Sequence, residues 1–194
     1  MQEILLFLIS SLALTLMPGP DILFVVNQSL EKRKNGIITS LGLCTGLIFH
    51  TMFLVFGLSA LIESNKSLIT FLKYFGTIYL FYLAYIEIKS ENKINKSLNS
   101  KLFLRGLYMN LINPKVLIFF IAYFPNFLFS DTIKISNQFL LLGFVFIFQA
   151  FLVFVSVSLI ANKLIKYTSI DSNNKMLKYF KSLIFIIIGL LILI

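Results

Sequence analysis

Apolar segments of membrane-spanning length fill almost the whole of this chain, and two of them are interrupted midway by proline beside a charged residue. A Pro-Gly-Pro-Asp sequence at residues 18–21 interrupts the first segment, and Asn-Pro-Lys at residues 113–115 interrupts the fourth. Proline removes a helical hydrogen bond, and a charge in hydrocarbon costs roughly 3 kcal/mol on insertion scales. Such interruptions in matching places of two halves are typical of a substrate site near the bilayer midplane.

The composition excludes a separate soluble domain. Of the 194 residues, 58% are hydrophobic and 13% are charged, whereas soluble domains are about half apolar and a quarter charged. One helical crossing takes ~20 residues, so the chain has room for about six spans and short loops. We therefore predict an all-α integral membrane protein, a single transmembrane transporter domain over residues 1–194 that is not an enzyme.

Six apolar stretches separated by polar breaks define the expected spans. They cover about residues 4–29, 37–61, 68–88, 102–125, 137–161 and 177–194. The first stretch resembles a secretory signal, but it lacks a basic start and a small-residue cleavage site before the prolines. We expect it to remain as the first span.

The distribution of lysine and arginine predicts the orientation of the spans. These residues are concentrated in the first, third and fifth breaks, which the positive-inside rule places in the cytoplasm, with both termini outside. The net charge of +9 therefore indicates topology and not nucleic-acid binding. Three spans per half, entering the membrane in opposite senses, predict a 3+3 inverted repeat with halves of about 1–95 and 101–194.

Each proline break predicts a helix that stops and restarts. Gly19 can cap a helix that has Pro20 at its first position, and Asn113 can cap one that begins at Pro114. Both restarts would direct a positive helix N-terminus, with unpaired amides, into a shared cavity, which suits a carboxylate. Freed carbonyls and Asp21 suit an ammonium group, so an amino acid or close analogue is the natural substrate. The candidate substrate-binding residues are Pro18, Gly19, Pro20, Asp21, Asn113, Pro114 and Lys115.

Asp21 and Lys115 have three interpretations. They could pair with each other as a structural contact, since intramembrane charges often pair. They could bind the two ends of the substrate. Asp21 could instead take up and release a proton. The last two are compatible in a proton-coupled carrier, and we favour that combination.

Other polar residues within the spans are weaker candidates. His50, the only histidine, could relay protons or could make a hydrogen bond between helices. Asn110 and Gln149 could line the cavity, although contacts between helices are the more common role of such residues. Gly42 and Gly46 form a GxxxG pattern that allows close helix approach within or between subunits, which leaves a homodimer open.

At these residues the chain resembles the LysE/RhtB family of amino-acid exporters. The likeness is clear over about residues 1–127 and lies in the first break, in the second span with Gly42, Gly46 and His50, in Leu72–Gly76, and above all in Phe103–Gly106 and Asn110–Lys115. Ala84 and Ser182 depart from glycines that the family often has. The resemblance implies a multi-pass exporter of amino acids or their derivatives in a bacterial inner (plasma) membrane. It also implies that the proton gradient drives export. We predict no cofactor.

Three other classes compete with this interpretation. A membrane oxidoreductase needs paired cysteines, and Cys44 is the only one. An exporter of cations or metals is the closest alternative within transport, although one histidine, one cysteine and five methionines make a poor set of soft ligands. We therefore predict no metal site. A membrane scaffold that does not transport would use the two breaks for structure alone.

Overall fold

The computed structural model describes residues 2–17, 19–65, 67–89, 101–167 and 175–193, so Pro18 lies outside the described residues. Within these ranges the regular structure is helical and contains no strand. We number the helices α1 (Gln2–Leu16), α2 (Pro20–Glu31), α3 (Arg33–Ser64), α4 (Ser67–Lys89), α5 (Leu102–Ile112), α6 (Pro114–Phe127), α7 (Ile135–Tyr167) and α8 (Lys175–Leu193). Two of them contain a π-helical turn, α3 at Leu54–Leu58 and α6 at Phe119–Tyr123.

The helices have the lengths and composition of a multi-pass membrane protein. Among the described residues, α3, α4 and α7 are each long and apolar enough to cross a bilayer. The pair α1 and α2 bends by 54° and the pair α5 and α6 by 53°, so each pair fits one broken span. Both bends fall at the predicted breaks. The all-helical class is confirmed, while the count of six spans and the inverted repeat stay predictions.

Helix ends lie further out than the apolar stretches indicate. The first polar break was expected to separate two spans, yet only Lys32, with φ −151° and ψ 131°, interrupts the helices between Glu31 and Arg33. Likewise, α7 continues to Tyr167, beyond the predicted end of the fifth span at 161. The reason is that hydropathy marks the part of a helix that suits hydrocarbon, whereas the helix itself can continue into water.

Small residues bring α3 and α5 into close contact. A Cβ atom added to Gly42 would collide with the Phe103 carbonyl, and one added to Gly106 would collide with the carbonyl of Thr39. The GxxxG pattern is therefore used within the chain, against α5, and gives no support to a homodimer. A Cβ atom added to Gly46, one turn after Gly42, would meet Asn110, which lies further along α5, so α3 and α5 are parallel. This packing positions Asn110, near the end of α5, beside α3.

A cluster of aromatic side chains anchors α6 after the second break. Phe120 stacks on Phe124 with ring centroids 4.3 Å apart, and Phe119 stacks on Tyr123 at 4.4 Å. The rings of Phe7 in α1 and Phe124 meet edge to face, with centroids 5.1 Å apart. The Tyr123 hydroxyl donates a hydrogen bond to Ser10, which also lies in α1. These contacts fix the restarted helix against α1, so the two breaks keep a defined relation to each other.

Candidate functional site

The two helix breaks meet at one cavity, which we call the site pocket. The cavity measures about 40 Å³, as the space open to the centre of a water-sized sphere. By that measure one water needs about 10–15 Å³, so the pocket admits only a few waters. One side is apolar and includes Leu47 of α3 and Phe146, Ala150 and Phe154 of α7. The polar side brings together Thr15, Gly19, Pro20, Asp21, Asn110, Asn113 and Lys115.

At the first break, α2 restarts as the sequence predicts. Gly19 is the N-cap, with an extended backbone at φ −108° and ψ −175°, and Pro20 occupies the first helical position. The Gly19 carbonyl accepts the hydrogen bond of the Leu23 amide at 3.0 Å. No side chain caps this helix. Asp21 lies in the first turn, where the positive end of the helix dipole favours a carboxylate.

At the second break, the asparagine cap corrects one expectation. Asn113 Oδ1 accepts a hydrogen bond from the Lys115 amide at 3.1 Å, and the Asn113 carbonyl accepts one from the Val116 amide at 3.1 Å. The amides that were expected to face the cavity unpaired at this end are therefore already bonded. The cationic group that α6 offers to a ligand is the Lys115 side chain.

Asn113 also joins the two breaks directly. While its oxygen caps α6, its Nδ2 donates to both carboxylate oxygens of Asp21, at 3.3 and 3.4 Å. One amide side chain thus holds the start of one half-helix and orients the acid on the other. Both polar atoms of the Asn113 side chain are already hydrogen-bonded. Asn113 therefore orients Asp21 and the start of α6 and leaves no free polar atom for a ligand.

The Lys115 side chain extends from α6 towards the first break. Its Nζ lies 3.6 Å from Met17 Sδ and 5.2 Å from the ring centroid of Phe185 in α8. A Cβ atom at Gly19 would also stand 3.6 Å from this nitrogen. Within the described part of the chain, no direct ion pair joins Lys115 to Asp21. The two opposite charges share one pocket without neutralising each other by contact.

The remaining sequence candidates divide between the pocket and its surroundings. Pro114 is exposed and does not line the pocket, and Pro18 lies outside the described residues. Gln149 bonds Ser11 of α1 at 3.2 Å and does not reach the pocket, which matches the interhelical interpretation. His50 is buried behind the pocket, with Nε2 3.3 Å from the Asn110 carbonyl oxygen.

Asn110 is the candidate whose importance the structure raises. The residue is 1% exposed and lines the site pocket. Its Oδ1 is the only buried side-chain polar atom of the described chain without a hydrogen-bond partner. A Cβ atom at Gly46 would stand 2.5 Å from this oxygen, so α3 fixes the position of the amide. Such groups are rare because an unmade buried hydrogen bond costs about 1–3 kcal/mol.

Sequence reasoning missed a second pair of charges near the site. Lys181 of α8 and Glu87 of α4 form an ion pair of 2.8 Å, in which the lysine side chain is 2% exposed. On the sequence alone, Lys181 is one of the lysines near a polar break that set topology, and Glu87 has no assigned role. Lys181 lies inside the predicted sixth span and is followed by an almost uninterrupted apolar run. That position was the available signal for a buried lysine.

Comparison with known proteins gives the chain its family. The family model described as LysE type translocator matches residues 12–194. The homoserine/homoserine lactone efflux proteins of Salmonella typhimurium and Salmonella typhi are 26% and 28% identical to the chain, each over 96% of it and 93% of their own length. An uncharacterized membrane protein of Bacillus subtilis, YrhP, is 26% identical over 97% of the chain and 95% of its own length.

No solved structure shows a significant match to the chain. The family match nevertheless covers nearly all of the sequence, including both helix breaks and the site pocket between them. It agrees with the apolar helices in indicating a multi-pass membrane transporter of small molecules and not an enzyme. This chain belongs to the LysE type translocator family.

Proposed function

We propose that the protein exports an amino acid or an amino-acid derivative across the bacterial inner membrane in exchange for protons. The observation that carries the proposal is the site pocket, where an acid and a base from two helix breaks stand without direct pairing. An amino acid offers the complementary charges, an ammonium for Asp21 and a carboxylate for Lys115. The Salmonella relatives are named for homoserine and its lactone, which both carry an amino group.

The packing supports the proposed arrangement of six spans as two inverted halves with both termini outside. Each break falls near the middle of its helix pair, between α1 and α2 and between α5 and α6. In an alternating six-span chain the second and fourth spans run parallel, whereas the third and sixth run antiparallel. The contacts of Gly42 with Phe103 and of Gly46 with Asn110 make α3 and α5 parallel. The contacts of Thr77 with Gly189 and of Glu87 with Lys181 make α4 and α8 antiparallel.

The position of Asp21 in the site pocket supports proton exchange. Its carboxylate can hold either the ammonium group of a substrate or a proton, and this mutual exclusion is what antiport requires. His50 is the second candidate for proton transfer, because its ring reaches the backbone of Asn110, whose side chain lines the pocket. The unpaired Oδ1 of Asn110 adds an acceptor for the amino group of a substrate.

The site pocket of this structure is smaller than an amino acid. A pocket of about 40 Å³ holds a few waters, whereas an amino acid needs several times that space. Substrate binding therefore requires the walls formed by α3 and α7 to move away from the breaks. A pocket between two bent helix pairs that widens to admit its substrate is the arrangement expected of an alternating-access carrier.

The proposal is tested with Asp21→Asn and Lys115→Met in cells challenged with a high concentration of external dipeptide. Because each variant removes one charge from the pocket, we expect export to fall by more than about tenfold, a barrier increase above ~1.4 kcal/mol. The same chemical changes at the exposed residues Asp131 and Lys134, Asp131→Asn and Lys134→Met, serve as matched controls and retain export. Membrane abundance is measured for all four variants. Normal export by both site variants at parental abundance would show that the pocket is not the substrate site.

A further inference from the structure

We propose that His50 is a positioning residue for the second break. By bonding the last turn of α5 and contacting α6, His50 sets the bend between these two helices and so fixes where Asn110 and Lys115 stand in the site pocket. The inference rests on the proposed function of that pocket. It assigns His50 a task that needs the ring N–H but no change in the charge of the ring, and the test below separates this task from proton transfer.

The contact of His50 begins with an amide that Pro114 cannot supply. In a continuous α-helix the N–H of residue 114 would donate to the carbonyl of residue 110, and proline has no N–H. The Asn110 carbonyl keeps a bond of shorter range, from the Asn113 amide at 3.1 Å. A carbonyl oxygen can accept a second hydrogen bond, and His50 Nε2 lies 3.3 Å from this one. The histidine therefore replaces the donor that proline lacks.

The chemistry of this contact fixes the donor atom. Because a backbone carbonyl only accepts hydrogen bonds, Nε2 of His50 carries the hydrogen. Asn110 lies in the last turn of α5, where the carbonyls form the negative end of the helix dipole and a histidine N–H is a favourable partner. Both residues are buried, so solvent does not make good the loss of the donor.

The ring of His50 also contacts the helix that follows the break. Its centroid lies 5.4 Å from that of Phe120, which is fully buried in the π-helical turn of α6. His50 thus contacts both arms of the bent pair, α5 through its nitrogen and α6 through its ring. A side chain that contacts both arms opposes a change in the 53° bend between them.

The two arms carry polar groups of the site pocket. On α5, Asn110 lines the pocket with an Oδ1 atom that has no hydrogen-bond partner among the described residues. Gly46, one turn before His50 in α3, leaves room for this side chain, since a Cβ atom there would stand 2.5 Å from Oδ1. On α6, Lys115 lines the same pocket. A change in the bend would therefore shift Asn110 relative to Lys115.

Three variants separate positioning from the other roles of a buried histidine. His50→Gln keeps an N–H at the ε position but does not titrate, and His50→Leu removes the donor at similar size. Thr51→Val is the matched control, because Thr51 is a buried neighbour whose hydroxyl bonds the Leu47 carbonyl of its own helix at 2.9 Å. The measurement is the kinetics of L-homoserine transport in proteoliposomes over a range of pH.

We expect His50→Leu to raise the KM for homoserine by about tenfold and to leave kcat within about threefold of native. His50→Gln and Thr51→Val keep the KM within about twofold of native and retain the native pH profile. If His50 transferred protons, His50→Gln would lose as much transport as His50→Leu and both would change the pH profile. If its contact were structural only, His50→Leu would leave fewer active carriers at an unchanged KM. Either result would overturn the inference.

A readout without substrate separates this inference from the proposed function. Pro114→Ala restores an N–H for the Asn110 carbonyl, so His50→Leu should lower the Tm of purified protein less in the Pro114→Ala background than in the native one. Thr51→Val should lower the Tm equally in both backgrounds. Equal decreases with His50→Leu would contradict the inference even if homoserine is not transported. If Lys115→Met impairs homoserine transport and His50→Leu leaves the KM unchanged, only the inference is rejected; if Lys115→Met has no effect, the role assigned to the pocket is wrong.

Discussion

The two helix breaks are alike in sequence and differ in how the second half-helix begins. At the first break, Gly19 caps α2 through its backbone alone and no side chain bonds the helix start. At the second break, the Asn113 side chain caps α6 and also contacts Asp21. The second break therefore fixes its own geometry, whereas the first depends on the second to orient its acid. A proline motif predicts where a helix stops, but the capping residue decides whether a side chain already bonds the amides where the helix restarts.

The same comparison shows that the two charges are held with different strength. Asp21 lies in the first turn of α2, where the helix dipole favours a negative charge by about 0.3–1 kcal/mol. Lys115 lies at the same place in α6, where the dipole disfavours a positive charge by a similar amount. Its ammonium accordingly leaves its own helix and reaches Met17 at the first break. The acid is stabilised where it stands, and the base is the group free to respond to a ligand.

Asn113→Asp should produce the largest effect, because it changes the residue that links the two breaks. Aspartate can still cap α6, but it places a second carboxylate beside Asp21, where the Asn113 amide now lies 3.3 Å away. We expect export to fall by more than about tenfold, a barrier increase above ~1.4 kcal/mol. Export is measured beside the Tm of the purified protein.

Asn113→Ala is the matched variant, since it removes both the cap and the contact with Asp21 without adding charge. Loss of the cap should cost about 1 kcal/mol of stability, so this variant melts below Asn113→Asp. Its export should nevertheless exceed that of Asn113→Asp. If the two variants rank in the same order for stability and export, capping alone accounts for the role of Asn113.

Gly46→Ala should have the second largest effect and acts on the second break only. The added Cβ would stand 2.5 Å from Asn110 Oδ1, and the crowded amide must move from its place in the pocket wall. Overpacking of this kind costs about 1–3 kcal/mol. Gly57→Ala, in the same helix, is the control, because its Cβ would meet only the Phe53 side chain at 3.6 Å. Denaturation of both purified variants provides the measurement, and equal losses of stability would contradict the role of the close approach at Gly46.

How much of this molecule could be predicted depends on how local the signal is. The caps Gly19 and Asn113 and the restarts at Pro20 and Pro114 follow from neighbouring residues, and the structure has them where the sequence indicates. Five of the seven substrate-binding candidates, Gly19, Pro20, Asp21, Asn113 and Lys115, meet in one pocket because the two breaks lie at corresponding places in the chain.

What could not be predicted depends on which helices are neighbours. The hydrogen bond from Asn113 to Asp21 and the ion pair of Glu87 with Lys181 each join residues more than 90 positions apart. Hydropathy can place a lysine inside a span, as it does Lys181, but it does not identify the carboxylate with which that lysine pairs. The exposure of Pro114 has the same origin, because burial of that ring depends on packing around the bend.

The smallest effects should come from replacing the prolines. The first break contains two prolines and the second contains one, so the two breaks should respond differently. In the first break, Pro18 still withholds its amide after Pro20→Ala, and the N–H restored at the first helical position has no partner to gain. In the second break, Pro114→Ala removes the restriction that keeps Asn113 extended at φ −68° and ψ 107°. The pair α5 and α6 can then straighten from its 53° bend. We expect export to fall by about fivefold for Pro114→Ala and about twofold for Pro20→Ala, both under ~1 kcal/mol in barrier height. A larger loss with Pro20→Ala would show that the first break is held by that ring alone.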